Sequence, residues 1–472
     1  MKLLPNILFL CPDELQATAL GCYGQSAPTS PYIDALAAKS ARFSQCHTVH
    51  PKCQPSRAAL LSGLYPHVFG HRTLQAPLTP SEPNFARILR QYGYQSVLSG
   101  KLHDVSHELQ AETYDFILQS KQSRTWETPE NTLPTGSYWV GQDPVNADDY
   151  PDINATHNAV EWLKGARDPT KPFFLSVNWH APHPPYGLPA PHYGVVPREQ
   201  VTLPPQDDSS NKPAYQAELQ RSYGTDRFTP DDWREIIGTY YDMVRMVDTQ
   251  IGQMVGALQS SGLLDNTIIL IWSDHGCFAG QHQLVEKWDT SFYDCVTRVP
   301  LIIHHPKLVK PDSINCLIET IDIFPTIFGL IGLPIPEGIM GRDHSPLLRG
   351  EPFEERPYVF CQGGQELEVL SKTVAPFSTP RPCKAYQMKQ DALWRNRTIN
   401  ARAKMIRDHN YKYCYHATGF EEFYDLKSDP SELMNQASNP SFTALLHHYR
   451  KQLIQKLVES ENPFPLQSFL EA

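Results

Sequence analysis

Four short apolar runs, each stopping at titratable side chains, constrain this chain more than any other feature. Asn6-Ile-Leu-Phe-Leu-Cys11 stops at Pro12-Asp13-Glu14, and Gln95-Ser-Val-Leu-Ser99 stops at Gly100-Lys101-Leu102-His103. Phe173-Phe-Leu-Ser-Val-Asn-Trp179 stops at His180-Ala-Pro-His183, and Thr267-Ile-Ile-Leu-Ile-Trp-Ser273 stops at Asp274-His275-Gly276. Short, continuous aliphatic runs read as strands buried on both faces, as in parallel sheets. Amphipathic, helical stretches lie between and around them, at residues 30–44, 84–92, 157–165 and 231–261. Strands alternating with helices predict an α/β fold with a largely parallel sheet. Ligands of such sheets sit outside the carboxyl ends of the strands. Four strand ends would therefore deliver Asp13, Glu14, Lys101, His103, His180, Asp274 and His275 to one edge. Singly, each pair reads as a cap or a surface charge; together they point to a site.

At 472 residues the chain has room for one large domain with a smaller appendage, or for two domains. Its 42 prolines and 26 glycines imply long, rigid loops. A formal charge of -10 argues against general nucleic-acid binding but not against an anionic small substrate, which a few local cations suffice to hold. No run is apolar enough to span a membrane. The first 11 residues are broken by Pro5 and Asn6 and lack a cleavage site, so they read as a strand rather than a signal peptide. The expected location is cytoplasmic, or periplasmic or secreted if an export signal was trimmed. The 10 cysteines have no paired spacing, which favours neither a disulfide framework nor a zinc site.

Beyond Pro300, residues 301–304 read as a further strand and 320–334 as a helix entered at a proline turn. Residues 341–357 look like a connection between domains, which divides the chain into 1–355 and 356–472. Short strand-like runs follow near 358–361, 398–406 and 411–415, and a polar helix over 441–459 closes the chain.

The stretch His50-Pro-Lys-Cys-Gln-Pro-Ser-Arg-Ala-Ala-Leu-Leu-Ser-Gly-Leu-Tyr-Pro-His67 stands apart from this framework. It places Cys53 in an extended entry segment, Pro55 at a first helical position, and Gly63 and Pro66 at the helix end. Cys53 would lie at the positive end of the helix dipole with Arg57 one turn on, a natural seat for an anion. The alternative is a half-buried structural cysteine.

Cys53-Gln54-Pro55-Ser56-Arg57, followed by Leu61-Ser62-Gly63-Leu64-Tyr65-Pro66-His67, resembles the Cys-x-Pro-Ser-Arg signature of the type I sulfatases. The resemblance covers nearly the whole chain. It implies an alkaline phosphatase-like fold: a large mixed sheet between helices, with a small C-terminal antiparallel sheet and helix. It also implies that a separate maturation enzyme oxidises Cys53 to formylglycine, whose hydrate is the nucleophile. Asp13 and Glu14 match the family's first metal-binding acidic pair, although Glu14 stands where Asp or Gln is usual. Asp274 and His275 match the second pair. Lys101 and His103 match a Lys-x-His pair beside the nucleophile, His180 a histidine near the scissile oxygen, and Lys287 a late sulfate-binding lysine. Glu422-Phe-Tyr-Asp-Leu426 resembles a structural phrase near the family's C-terminus.

The oxygen ligands suit a hard divalent cation, calcium first, or magnesium; His275 adds a nitrogen that either metal tolerates poorly, which leaves manganese open. On this reading Arg57, Lys101 and Lys287 neutralise sulfate oxygens. His180 protonates the departing alcohol, and His103 takes a proton in the second half-reaction. His71, His183 and His282 lie near these segments in sequence and are candidate substrate contacts.

The expected activity is hydrolysis of a sulfate ester. The alternatives are a phosphonate monoester or phosphodiester hydrolase on the same scaffold, or a non-catalytic binding protein if Cys53 stays unmodified. Aromatic residues in the loops 125–152, 186–227 and 362–397 (Trp126, Tyr138, Trp139, Tyr215, Tyr223, Trp394) are compatible with stacking on a sugar or with loop packing. A sulfated carbohydrate is the favoured substrate, with small sulfate esters open. No nucleic-acid or membrane partner is expected.

Overall fold

The first of those runs lies at the centre of the main sheet. In the computed structural model, which describes residues 4–120, 133–366 and 383–461, the strands follow in chain order. They are β1 (Asn6–Asp13), β2 (Ala41–His47), β3 (Gln95–Gly100), β4 (Phe116–Leu118), β5 (Trp139–Asp143), β6 (Phe173–Pro182) and β7 (Tyr186–Pro189). Then come β8 (Thr267–Trp272), β9 (Leu301–His304), β10 (Asp312–Glu319), β11 (Val359–Gly363), β12 (Ala403–Arg407), β13 (Tyr411–His416) and β14 (Glu421–Asp425). Eight form one mixed sheet in the order β10-β2-β9-β8-β1-β6-β3-β4, while β5 and β7 make a small parallel pair. Within the large sheet β8, β1, β6, β3 and β4 run parallel; β9 runs antiparallel to both β8 and β2.

Side-chain alternation explains why these strands are apolar throughout. Leu8 and Leu10 of β1 face one core with Ile269 and Ile271 of β8 and with Met243, Val247 and Ile251 of the long helix Pro230–Ser260. Ile7, Phe9 and Cys11 face the opposite core, with Ile268, Leu270, Phe85, Phe324 and Phe328. Both faces are covered, so neither can be polar. The long helix starts on Pro230 with a reciprocal capping box between Thr229 and Asp232.

Some elements depart from expectation. The helix sought over 30–44 ends at Ala37, and β2 takes residues from Ala41 on. Ala41 and Phe43 point inward while Arg42 and Ser44 are half-exposed, a period of two that a helical reading of the preceding residues obscured. The strand β10 was not anticipated; it runs parallel to β2 at the sheet edge, with Asp312 and Ser313 exposed. The helix sought over 157–165 begins six residues earlier, at Pro151, whose ring suits a first helical position.

The strands β11 to β14 form a separate antiparallel sheet. Phe360, Ile406, Tyr413 and Phe423 pack with Leu446, Tyr449 and Leu453 of the helix Thr443–Glu459. The same cluster includes Val49, Ala59 and Tyr65, so this sheet also packs against the segment around Cys53. All 10 cysteines are free. Among the described residues no helix is long and apolar enough to cross a membrane.

Candidate active site

The helix Cys53–Ser62 begins two residues earlier than its proline implied: Lys52 is the extended N-cap, and Cys53 itself is the first helical residue. Pro55 still falls within the first turn, where its missing N–H costs no hydrogen bond. The first bond of the ladder is Ser56 N–H to Lys52 C=O at 3.0 Å. Gly63 closes the helix at φ 69°, a left-handed conformation that suits glycine. An added Cβ there would lie 2.8 Å from Ile339, so the turn is crowded as well.

Cys53, Arg57, Asp13, Glu14, Asp274, His275, Lys101 and Lys287 are all buried. Burying so many charges is tolerable only because they are paired. Arg57 Nε donates to Asp274 Oδ2 at 2.7 Å, Lys101 Nζ pairs with Asp13, and Lys287 Nζ donates to Glu14 Oε2 at 2.7 Å. Burial raises the Asp274 pKa, but the Arg57 guanidinium, by its charge and its hydrogen bond, outweighs it and holds the carboxyl well below the usual range. Burial lowers the Lys287 pKa; the carboxylates of Glu14 and Glu286 outweigh that and leave it well above its ordinary value. Lys101, where burial dominates, falls to about 8. Glu14 rises to about 7 through burial, opposed by Lys287.

The strand ends need tertiary contacts to hold these groups in place. Glu14 sits at φ 69°, unusual for a residue with a side chain. Its N–H donates to Asp274 Oδ1 at 3.2 Å and its C=O accepts from Tyr240 Oη at 3.0 Å. The buried loop between Asp274 and Lys287 carries four more left-handed residues: Ala279, His282, Gln283 and Glu286. Strained backbone of this kind persists where the surroundings over-determine it, commonly at functional sites.

Asp13, Cys53, Asp274 and His275 each offer one ligand atom, all within 4.8 Å of one another. The Asp13 Oδ1 and Glu14 Oε1 atoms are buried without a hydrogen-bond partner. His275 Nδ1 pairs with the Gly276 carbonyl at 2.9 Å, which leaves Nε2 facing Cys53 Sγ at 3.3 Å and Asp13 Oδ1 at 3.6 Å. Burial holds His275 down to about 3, so its ring is neutral and its free lone pair faces the carboxylates. Two carboxylates, a neutral imidazole and orphaned oxygens fit a divalent cation. Glu14 lies outside this foursome: it groups with Asp13 and His183, whose Nε2 is 3.6 Å from Glu14 Oε2.

His180 is aligned by a carboxylate that had no sequence signal. Asp152, in the first turn of the helix Pro151–Glu161, accepts the backbone N–H groups of His180 and Ala181 at 2.7 and 2.9 Å. His103 is exposed, and the Lys101 ammonium beside it lowers its pKa, which keeps the imidazole neutral and able to accept a proton.

Two of the three candidate substrate histidines have other partners. His71 pairs with Glu82 through Nε2 and with the Ala76 carbonyl through Nδ1 at 2.7 Å, which occupies both ring nitrogens. His282 pairs with Asp207 at 2.8 Å and stacks on Tyr293 at 3.7 Å. His183 alone joins the acidic group, backed by Tyr386 of the helix Lys384–Arg395, whose ring stacks near it. The aromatic-platform reading is corrected in part. Tyr138, Trp139, Tyr215 and Tyr223 are buried in loop packing, whereas Trp394 is exposed with Arg397 over its ring and stays compatible with either reading. Trp126 lies outside the described residues. Asp152, Tyr386 and Lys389, which pairs with Glu286, were missed because their neighbours in sequence carry no pattern.

The fold has known counterparts. A solved structure titled as a 2-O GAG sulfatase superposes with a TM-score of 0.76 at 25% identity, covering 97% of this chain and 92% of that one. The phosphonate monoester hydrolase of Agrobacterium radiobacter superposes with a TM-score of 0.77 at 23% identity, covering 97% and 96%, a likeness of fold. Fold and site together define an α/β hydrolase of the alkaline phosphatase-like class. Residues 5–333 match the family profile Sulfatase. The Delta 4,5-hexuronate-2-O-sulfatase of Bacteroides thetaiotaomicron is 27% identical over 98% of this chain and 90% of its own. The chain belongs to the sulfatase family and is a sulfuric ester hydrolase.

Proposed function

We propose that this enzyme hydrolyses a sulfate monoester on a carbohydrate, with the side chain at position 53, oxidised to formylglycine, as nucleophile. The observation that carries the reading is the single buried group made by Cys53, Asp13, Asp274 and His275, ringed by Arg57, Lys101 and Lys287. Burial pushes the unmodified Cys53 thiol up to about 11, so the thiol itself is a poor nucleophile at neutral pH. Asp13, Asp274, His275 and position 53 would hold a divalent cation, calcium by our assignment, with Glu14 alongside. When bound, such an ion supplies Lewis-acid charge to the sulfate and acidifies the attacking hydroxyl. Arg57, Lys101 and Lys287 neutralise the charge gathering on the equatorial oxygens. His180 donates a proton to the departing alcohol oxygen, and His103 accepts one in the second half of the cycle. The net reaction turns a sulfate monoester and water into an alcohol and hydrogen sulfate. The carbohydrate assignment is supported by the hexuronate and 2-O GAG sulfatases among the relatives.

The test is peptide mass spectrometry across Cys53 after co-expression with a formylglycine-generating enzyme. A panel of sulfated saccharides, an aryl sulfate and a phosphonate monoester follows. An aldehyde mass with sulfate release from saccharides is expected. An aldehyde with faster phosphonate cleavage would reassign the enzyme. Chelation should lower both activity and melting temperature, with calcium restoring both; better rescue by manganese would change the metal assignment.

A further inference from the structure

The small C-terminal sheet brings a second set of cations to the segment that leads into Cys53. Gln362 of β11 donates its backbone N–H to Val49 C=O at 3.1 Å. Its neighbour Gly363 lies so close to residue 289 that an added Cβ would meet the Asp289 carbonyl at 1.7 Å and Pro51 at 3.5 Å. Any side chain there would push the sheet away. The sheet is therefore locked onto the chain four residues before the nucleophile, within roughly 14 Å of it along the backbone.

Three cations converge there. Arg72 and Arg402 both pair with Glu366, Arg402 at 3.0 Å. Lys404 of β12 donates to Gln362 Oε1 and makes no ion pair among the described residues. Burial, then Arg72 and Arg402, lowers the Lys404 pKa to about 7. The donors exceed the acceptors. Gln362 is 2% exposed, with its Oε1 engaged by Lys404 and by His67 at 3.1 Å, and its Nε2 has no partner. Arg72 Nε is buried and equally unpartnered. Buried donors without acceptors are costly, and positive charge in excess of its counter-charge compounds that cost. His50, three residues before Cys53, is close enough to feel both Lys404 and His275, which ties this cluster to the catalytic group.

We infer that Lys404, Arg72, Arg402 and Gln362 form an anion subsite. It receives a second acidic substituent, a carboxylate or another sulfate, on the same molecule whose sulfate ester is cleaved at Cys53. The inference rests on the sulfatase reading for its substrate but not for its ligand chemistry. A guanidinium pair with a lysine and an amide N–H suits a planar carboxylate or a sulfate face equally. The subsite would select among sulfated sugars by their second charge, a discrimination that the catalytic group does not make.

The test compares wild type with Lys404→Met and Arg402→Gln on four substrates: an aryl monosulfate, a neutral sugar monosulfate, the same sugar ester bearing a carboxylate, and a neutral sugar disulfate. The readout is the preference, the ratio of kcat/KM for each two-anion substrate to that for the neutral sugar monosulfate. We expect each variant to lower it by about tenfold, mainly through KM; a buried or half-buried charged hydrogen bond carries that much. Loss in the carboxylate series alone, or in the disulfate series alone, identifies the group bound. An unchanged preference in both overturns the subsite.

A binding arm is independent of turnover. An unsulfated hexuronate disaccharide and a neutral disaccharide disulfate are titrated in thermal-shift assays. A rise in Tm for wild type that Lys404→Met abolishes supports the subsite, and an equal rise in both proteins overturns it. If wild type carrying the aldehyde releases no sulfate from any ester, the proposed function fails, while the binding arm still decides the subsite.

Discussion

The catalytic floor and the cationic rim beside it handle charge in opposite ways. On the floor, Arg57, Lys101 and Lys287 each face a carboxylate, and the atoms left over are the acceptors Asp13 Oδ1 and Glu14 Oε1 and one donor, Arg57 Nη2. At the rim, Arg72 and Arg402 share the carboxylate of Glu366, Lys404 makes no ion pair among the described residues, and Gln362 Nε2 and Arg72 Nε are donors left over. Surplus acceptors call for a cation and surplus donors for an anion. On the proposed reading a metal would take the floor's free oxygens, the substrate's sulfate would meet Arg57 Nη2, and a second anion of the substrate would take the rim.

Variants at the floor should do the most damage. Cys53→Ala should lower sulfate release by on the order of 10⁴-fold or more on every ester, since it removes the nucleophile. Comparable activity in the variant would disprove the assignment. Arg57→Ala should cost on the order of 10²–10³ in kcat. It should also destabilise the fold by about 3–5 kcal/mol, because Asp274 is left buried without its partner. Chemical denaturation alongside kinetics measures both. His180→Ala should lose about 10²-fold or more on sugar alcohols and far less on an activated aryl sulfate; equal losses on both would remove His180 as the acid.

Smaller effects sharpen the boundary of the site. His71→Ala should lower stability by about 1–3 kcal/mol, as Glu82 loses a buried partner, while KM for any sulfated sugar stays put. A large rise in KM would return His71 to the list of substrate contacts. The gentlest test is pH. Lys404 has a folded pKa of about 7 against an ordinary value of 10.5. Between those values the unfolded chain binds more protons, so stability rises with pH across that window. Below about pH 7 the burial penalty is fully present. Lys404→Met should therefore melt higher than wild type at pH 6, with the gap narrowing by pH 9. A gap that does not depend on pH would mean that Lys404 is already neutral or already paired.

Much of the floor was legible because its signals are local. Asp13, Lys101, His180 and Asp274 each follow an apolar run, and the strands β1, β3, β6 and β8 are neighbours in one parallel set. Strand ends next to each other must share an edge. The Cys53 signature sits in one unbroken peptide and carries its own helix, proline and capping glycine. His71 and His282 show the limit of this reasoning. Proximity in sequence to the catalytic segments implied a role, yet Glu82 and Asp207 had already engaged those rings.

The sequence by itself determined the alternation of strands and helices, the edge where titratable groups gather, and the place of Cys53 at a helix start. Those follow from burial on two faces and from residue-level backbone preferences, which act over a few positions. Only the tertiary structure decided that Asp152 would align His180, that β11 would dock on residues 49–51, and that Arg72, Gln362, Arg402 and Lys404 would meet. The last four come from segments about 300 residues apart, and a charge carries no mark of its distant partner until packing brings the two together.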